Sequence, residues 1–152
     1  MSVTYSQATD QLYSILQTVI GTYAVGIVGY IPNVYWPGDV PPLTVDGSKF
    51  FVRVSRQNID ESQATLSSEV GAHGQKRFTT RGLLVVQIFC PQSTLNASNL
   101  GAQLAVKVRD AYRKADSADG CWFTNCRVRE LPPEDVFHRY NVLMSFKYDE
   151  IL

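Results

Sequence analysis

The stretch Arg77–Pro91, RFTTRGLLVVQIFCP, constrains the fold more than any other part of the chain. It is the longest apolar run whose composition opposes a helix. Leu83, Val85, Val86, Ile88 and Phe89 are β-branched, aromatic or strongly apolar, and Pro91 lacks the donor needed to continue a central strand. Strand side chains alternate between faces, so Phe78, Leu84, Val86, Ile88 and Cys90 share one side. Arg81, Leu83, Val85, Gln87 and Phe89 share the other. The first side is apolar apart from Thr80 and Gly82; the second is mixed. Such a strand is expected at the centre of a sheet with something covering its second face.

The remaining elements arrange themselves around it. Tyr5, Ala8, Leu12, Ile15, Leu16 and Val19 recur at helical spacing, predicting a helix over Ser6–Ile20. Ser6 or Thr4 caps it, and Gly21 ends it. A segment rich in Gly, Pro and aromatics follows, with a short strand at Val25–Tyr30 or Asn33–Trp36. Pro32, Pro37, Pro41 and Pro42 keep the rest as loop, and Trp36-Pro37-Gly38 reads as a turn. Lys49–Arg56 reads as a strand with Phe50, Val52 and Val54 inward and Arg53 and Ser55 outward. Residues 57–76, from Gln57 through Glu61, Glu69 and His73 to Lys76, are polar and too long for an ordinary connection. They form either a flexible loop or, with Gln63–Ser67 extended, a long hairpin arm against Arg77–Thr80.

A second helix is predicted over Asn99–Lys114, capped by Ser98 or Asn96, with Leu100, Leu104, Val108, Ala111 and Tyr112 as its stripe. Cys121–Leu131 reads as a strand with Trp122, Cys126 and Val128 on one face and Phe123, Asn125, Arg127 and Arg129 on the other. Pro132-Pro133-Glu134-Asp135 reads as a turn. The last strand, Phe137–Asp149, alternates Tyr140, Val142, Met144, Phe146 and Tyr148 with Arg139, Asn141, Leu143, Ser145 and Lys147. Two amphipathic helices cover only one face of such a sheet. The expected architecture is therefore a single α+β domain over residues 1–152: a two-layer sandwich whose mixed or antiparallel sheet has four or five strands. Two helices lie on one face, and a long β-hairpin arm projects. The open face carries Arg53, Arg81, Arg127 and Arg129, with Leu83, Val85, Phe123 and Leu143 among them, and these eight are the candidate interface residues.

Charge and motif content narrow the function. The chain has 14 basic and 14 acidic residues, a balance that opposes binding to phosphate backbone. Phe51, Phe123 and Phe137 interleave the arginines, as in a single-stranded nucleic-acid platform, but zero net charge favours an oligomer-facing or solvated sheet. No apolar run approaches the ~20 residues that span a bilayer, and the amino-terminal stretch lacks the pattern of a secretion signal. The three cysteines have no metal-ligand spacing with His73 or His138 and are expected as reduced, buried residues. No phosphate-cradling glycine loop, metalloprotease helix or nucleophile elbow occurs. Glu134 and Asp135, adjacent in a turn, point apart, which is wrong for paired acid/base work. The residues thus point to a non-enzymatic binding or assembly domain with no cofactor and no metal.

Four blocks taken together carry a resemblance. They are Phe51–Arg56 (FVRVSR), Arg77–Pro91, Val108–Arg113 (VRDAYR) and Tyr140–Glu150 (YNVLMSFKYDE). In this order and spacing, over about Lys49 to Ile151, the chain resembles the tail terminator, or tail-completion, proteins of long-tailed bacteriophages. The resemblance implies a virion protein, made in the host bacterial cytoplasm, that closes into a ring expected to be six-fold. That ring would sit on the head-proximal end of the tail tube, stop its polymerisation and present a surface to the head–tail connector protein. Its partners would be further copies of itself, the tail tube protein and the connector, with DNA passing through the lumen without sequence-specific binding. It implies no membrane and no catalysis. Two other readings compete: another neck or tail component, either a head–tail adaptor or a tube subunit; and a small α+β ligand-binding domain or enzyme with a pocket near Trp36, His138 and Cys126.

Overall fold

The computed structural model describes residues 3–39, 45–65, 76–115 and 120–151. The element order is α1 (Tyr5–Val28), β1 (Asn33–Tyr35), β2 (Phe51–Thr65), β3 (Arg77–Pro91), α2 (Ala97–Arg113), β4 (Cys121–Glu134) and β5 (Phe137–Ile151). The five strands form one mixed sheet in the order β1-β2-β3-β5-β4, with β1 parallel to β2 and all other pairs antiparallel. Both helices lie on one face, α2 across β3, β5 and β4 and α1 beside it. This is the two-helix α+β sandwich that the hydrophobic periodicities imply.

β3 spans the residues expected of it and pairs along its length with β2 on one side and β5 on the other. Leu84, Val86, Ile88 and Cys90 are fully buried beneath the helices, as are Val142, Met144 and Tyr148 of β5. Onto them pack Ala8, Leu12 and Leu16 of α1 and Leu104, Ala105 and Val108 of α2. The Tyr112 hydroxyl donates to the Leu12 carbonyl, joining the two helices inside the core. Two glycines permit close approach. A methyl at Gly101 would meet the Cys90 sulfur and the Tyr140 ring, so α2 can lie directly on β3 and β5 only without one. A methyl at Gly82 would collide with the Phe146 ring and the Gln57 carbonyl.

Four expectations are corrected. First, α1 does not end at Gly21 but continues to Val28, where Gly29 takes a left-handed conformation (φ 89°) and donates to the Val25 carbonyl. A mid-helix glycine costs about 1 kcal/mol, and burial of Ile20 and Ala24 beyond it outweighs that. Extended to this length, α1 is long and apolar enough to cross a membrane. The expectation of no such segment missed it because polar residues interrupt the run; here its apolar stripe is part of the globular core. Its cap is Thr4, in a reciprocal pair with Gln7, and Tyr5 is exposed rather than part of the buried stripe. The short strand is Asn33–Tyr35, not Val25–Tyr30.

Second, β2 runs well past Arg56, to Thr65. Gln57–Thr65 pairs with Arg77–Leu83, so this part of the polar stretch is a hairpin strand rather than a loop, bulged at Asn58/Asp60 and Gln63/Thr65. Gln57, Glu61 and Lys76 are exposed; Glu69 and His73 lie outside the described residues. Third, Pro132 and Pro133 remain within β4, which as an edge strand tolerates missing donors, and the turn is Asp135–Val136.

Fourth, Phe123 faces the helices and Trp122 the open side, the reverse of strict alternation. Asn125 takes a left-handed conformation (φ 52°) at a bulge between Thr124 and Arg127. That extra residue exchanges the faces of everything before it. Phe123 packs edge-on against Tyr112, with ring centroids 5.0 Å apart.

Two outcomes test this core. Gly82→Ala must displace the Phe146 ring or the Gln57 backbone, so chemical denaturation should show a loss of about 1–3 kcal/mol. Burial pushes the Cys90 thiol up to about 12 and Cys121 up to about 11 from an ordinary 9.0. Because these folded-state values are raised, the stabilising contribution is complete below the unfolded value and lost as pH rises through the folded ones. Denaturant midpoints should therefore fall as pH rises from about 8.5 towards the folded values of about 11 and about 12, with a shallower fall in Cys90→Ala.

Candidate functional site: the open sheet face

The face away from the helices is built as cross-strand rows. One row reads Arg53, Gln87, Asn141 and Arg129 across β2, β3, β5 and β4. The next reads Ser55, Val85, Leu143 and Arg127, and the third Gln57, Leu83, Ser145 and Thr124. Beyond these lies Asp60, Arg81, Lys147 and Trp122. The face therefore holds an apolar centre, Leu83, Val85 and Leu143, flanked on both sides by rows bearing arginine. These three side chains are half-buried although no described element lies over them.

Of the eight candidate interface residues, Arg53, Arg81, Leu83, Val85, Arg127, Arg129 and Leu143 come together on this face. Phe123 does not, because of the Asn125 bulge. The rows show which charges are already engaged. Arg53 donates from Nε and Nη2 to the Gln87 side-chain oxygen (2.9 and 2.7 Å) and lies 5.1 Å from the centre of the Phe89 ring. Arg81 makes a long, exposed ion pair with Asp60 at 3.7 Å, a contact of small energetic weight. Arg127 donates to the Asn125 carbonyl and holds the bulge. Asn141, at the middle of the first row, keeps a buried side-chain oxygen with no hydrogen-bond partner among the described residues.

Sequence reasoning placed Phe51, Phe89 and Phe137 on this face but missed that they touch, and it missed Trp122. Phe51, Phe89 and Phe137 form an aromatic cluster at one end, Phe51 stacked on Phe89 at 4.3 Å and Phe137 edge-on to both. Phe89 is only 5% exposed in consequence, so this end of the face covers itself. The signal was available as three phenylalanines of one parity at adjoining strand ends. At the other end Trp122 lies 5.6 Å from the Lys147 ammonium, where the bulge has turned it outward.

Among the described residues, Trp36 shares no described cleft with His138 or Cys126. Trp36 packs at a tilt against Tyr13, with ring centroids 5.1 Å apart, and lines a cleft of about 360 Å³ with Tyr35, Val45, Phe51 and Arg53, which contains neither His138 nor Cys126. His138 is half-buried opposite Cys90, and Cys126 is buried with its carbonyl bound by Arg113. Glu134 pairs with Arg139 at 2.9 Å, while Asp135 sits in the turn. Among the described residues no group of three His, Cys, Asp or Glu side chains is placed to hold a metal ion.

No protein-family model matches this sequence, and no curated protein matches it. Among solved structures, the chain is similar to a protein whose description carries no function. The alignment covers 92% of this chain and 94% of that one, with a TM-score of 0.57 and 14% identity. At that identity the likeness shows the α+β fold, shared over nearly the whole of both chains.

Proposed function

We propose that this chain is a structural subunit of a long-tailed phage virion, a tail terminator that assembles into a ring at the head-proximal end of the tail tube. The observation that carries the reading is the open sheet face. Leu83, Val85 and Leu143 form an apolar centre between arginine-bearing rows, with no described element of the chain above it. A contiguous apolar patch rimmed by polar groups marks a contact surface. For a ring, each subunit must present two different complementary surfaces whose rotation closes. The outer half of β2, with exposed side chains over Gln57–Glu61, continues the sheet beyond that centre and adds edge surface for a second contact. The four sequence blocks named above add the family-level support. In this role the ring stops tube growth and offers its other side to the connector, and a net charge of zero lets DNA pass without being held.

Two adjacent residues of β5 separate folding from assembly. Met144 is fully buried under the helices, whereas Leu143 is half-buried on the open face. Met144→Asp loses roughly 1.5–3 kcal/mol of burial and must also desolvate or protonate a carboxylate. Its melting temperature should drop sharply. Leu143→Asp should cost well under ~1 kcal/mol of fold stability yet block assembly. Thermal unfolding of each variant, followed by electron microscopy of the protein mixed with tail tubes, reads both. Wild-type rings capping tube ends, with uncapped tubes for a folded Leu143→Asp, is the expected result. Open-ended growth of the wild type would identify a tube subunit, and normal capping by Leu143→Asp would remove this face from the interface.

A further inference from the structure

The opposite face of β2 carries a charge that no part of the described chain neutralises. Arg56 points to the helix side, where its guanidinium is half-buried against the first turns of α1. Every hydrogen-bond acceptor it finds is neutral. Nε donates to the Asn58 side-chain oxygen at 3.2 Å, Nη1 to the Thr9 hydroxyl at 2.5 Å and Nη2 to the Tyr148 hydroxyl at 3.2 Å. Aromatic rings hold the group as well: its carbon lies 4.6 Å from the centre of Tyr5 and 5.2 Å from that of Phe146. The described ion pairs are Arg81–Asp60, Arg109–Asp110 and Arg139–Glu134, and none involves Arg56. Beside it opens a cleft of about 250 Å³, bounded further by Tyr13 and Pro37, in which Arg56 is the sole charged residue among those described.

We propose that this cleft is a carboxylate-binding site, with Arg56 as its anchor. A guanidinium bonds a carboxylate more strongly than any neutral acceptor and does so through two donors at once. Here the side chain is already fixed by its rings and hydroxyls, so little conformational entropy is lost when the anion arrives. The single positive charge matches a monoanion. A phosphate group, carrying about −1.5 to −2 at neutral pH, would leave charge unbalanced. Tyr5, Tyr13 and Pro37 supply apolar walls that suit the methylenes of a glutamate side chain. A small free acid presents the same chemistry. This inference is independent of the ring reading, since the cleft lies on the helix side and is complete in one chain.

The test is a titration of the full-length, isotopically labelled protein, followed by NMR at constant ionic strength. The probes are acetate, acetyl-glutamate methylamide, its glutamine counterpart and inorganic phosphate. Saturable shifts at the Arg56 Nε–H and at the Thr9 and Asn58 amides are expected with the two carboxylates and not with the glutamine compound. Tighter binding of the glutamate compound than of acetate assigns the site to a protein side chain; equal binding assigns it to small acids. Arg56→Gln should abolish the shifts but also removes contacts to α1, so Asn58→Asp is the decisive variant. It is isosteric, places a carboxylate on the Arg56 Nε, and should keep the fold while weakening the external carboxylate by about 10-fold or more. Absence of saturable shifts, equal shifts from the glutamine compound, phosphate binding as tight as acetate, or unchanged affinity in a folded Asn58→Asp would each overturn the proposal.

Discussion

The fold depends on the two-sided pairing of β3. Its backbone groups are taken up by β2 on one edge and β5 on the other, which allows this apolar strand to sit at the centre of the sheet without unsatisfied polar groups. The alternation of its side chains then commits one set, Leu84, Val86, Ile88 and Cys90, to the helices. A shift of one residue would send that set to the open face and leave α1 and α2 without a floor. Gly82 and Gly101 matter for the same reason: each removes a methyl where the Phe146 ring or α2 must come closest to this strand.

From that register the two faces acquire different characters. The helix face is filled with aliphatic and aromatic side chains, while the open face mixes a small apolar centre with arginines. Arg53 and Arg56 illustrate the division. They are three residues apart on β2, so they point to opposite faces. Arg53 lies over Phe89 and bonds Gln87; Arg56 reaches Thr9 of α1 and the hydroxyl of Tyr148. Each guanidinium lies over an aromatic ring, Arg53 over Phe89 and Arg56 over Tyr5 and Phe146, while donating from more than one nitrogen, an arrangement that a lysine ammonium would not reproduce. The same residue type thus serves a prospective assembly surface on one side and a helix-to-sheet cleft on the other.

Much of this was legible in the residues. β3 and β5 alternate without interruption over their buried spans, so their boundaries and faces follow directly from period-two patterning. The stripe of the second helix was equally clear, since its spacing is regular and the opposite side is charged, but the helix starts at Ala97 rather than Asn99, and Asn96 at its cap position makes no side-chain cap bond. The open face was legible to the same degree: Leu83, Val85 and Leu143 lie on strands whose parity never slips. Phe123 was misplaced because one residue, Asn125, adopts a left-handed conformation and adds a bulge. Asparagine tolerates that conformation, but nothing local requires it. The aromatic cluster of Phe51, Phe89 and Phe137 needed the cross-strand register before its members could be seen as neighbours.

Local chemistry by itself determined which segments alternate, which coil and which residues are too apolar to remain in water. These properties depend on side chains one to four positions apart, and the sequence states them. Tertiary structure alone decided where α1 stops, how far β2 extends and which side Trp122 and Phe123 occupy. In each case a weak local preference met a larger non-local one. Gly21 disfavours helix, yet burial of Ile20 and Ala24 carries α1 to Gly29. The polar composition of Gln57–Thr65 disfavours a strand, yet pairing with Arg77–Leu83 supplies its hydrogen bonds. Contacts between residues distant in sequence outweigh a local preference of about 1 kcal/mol, and only the assembled fold brings those residues together.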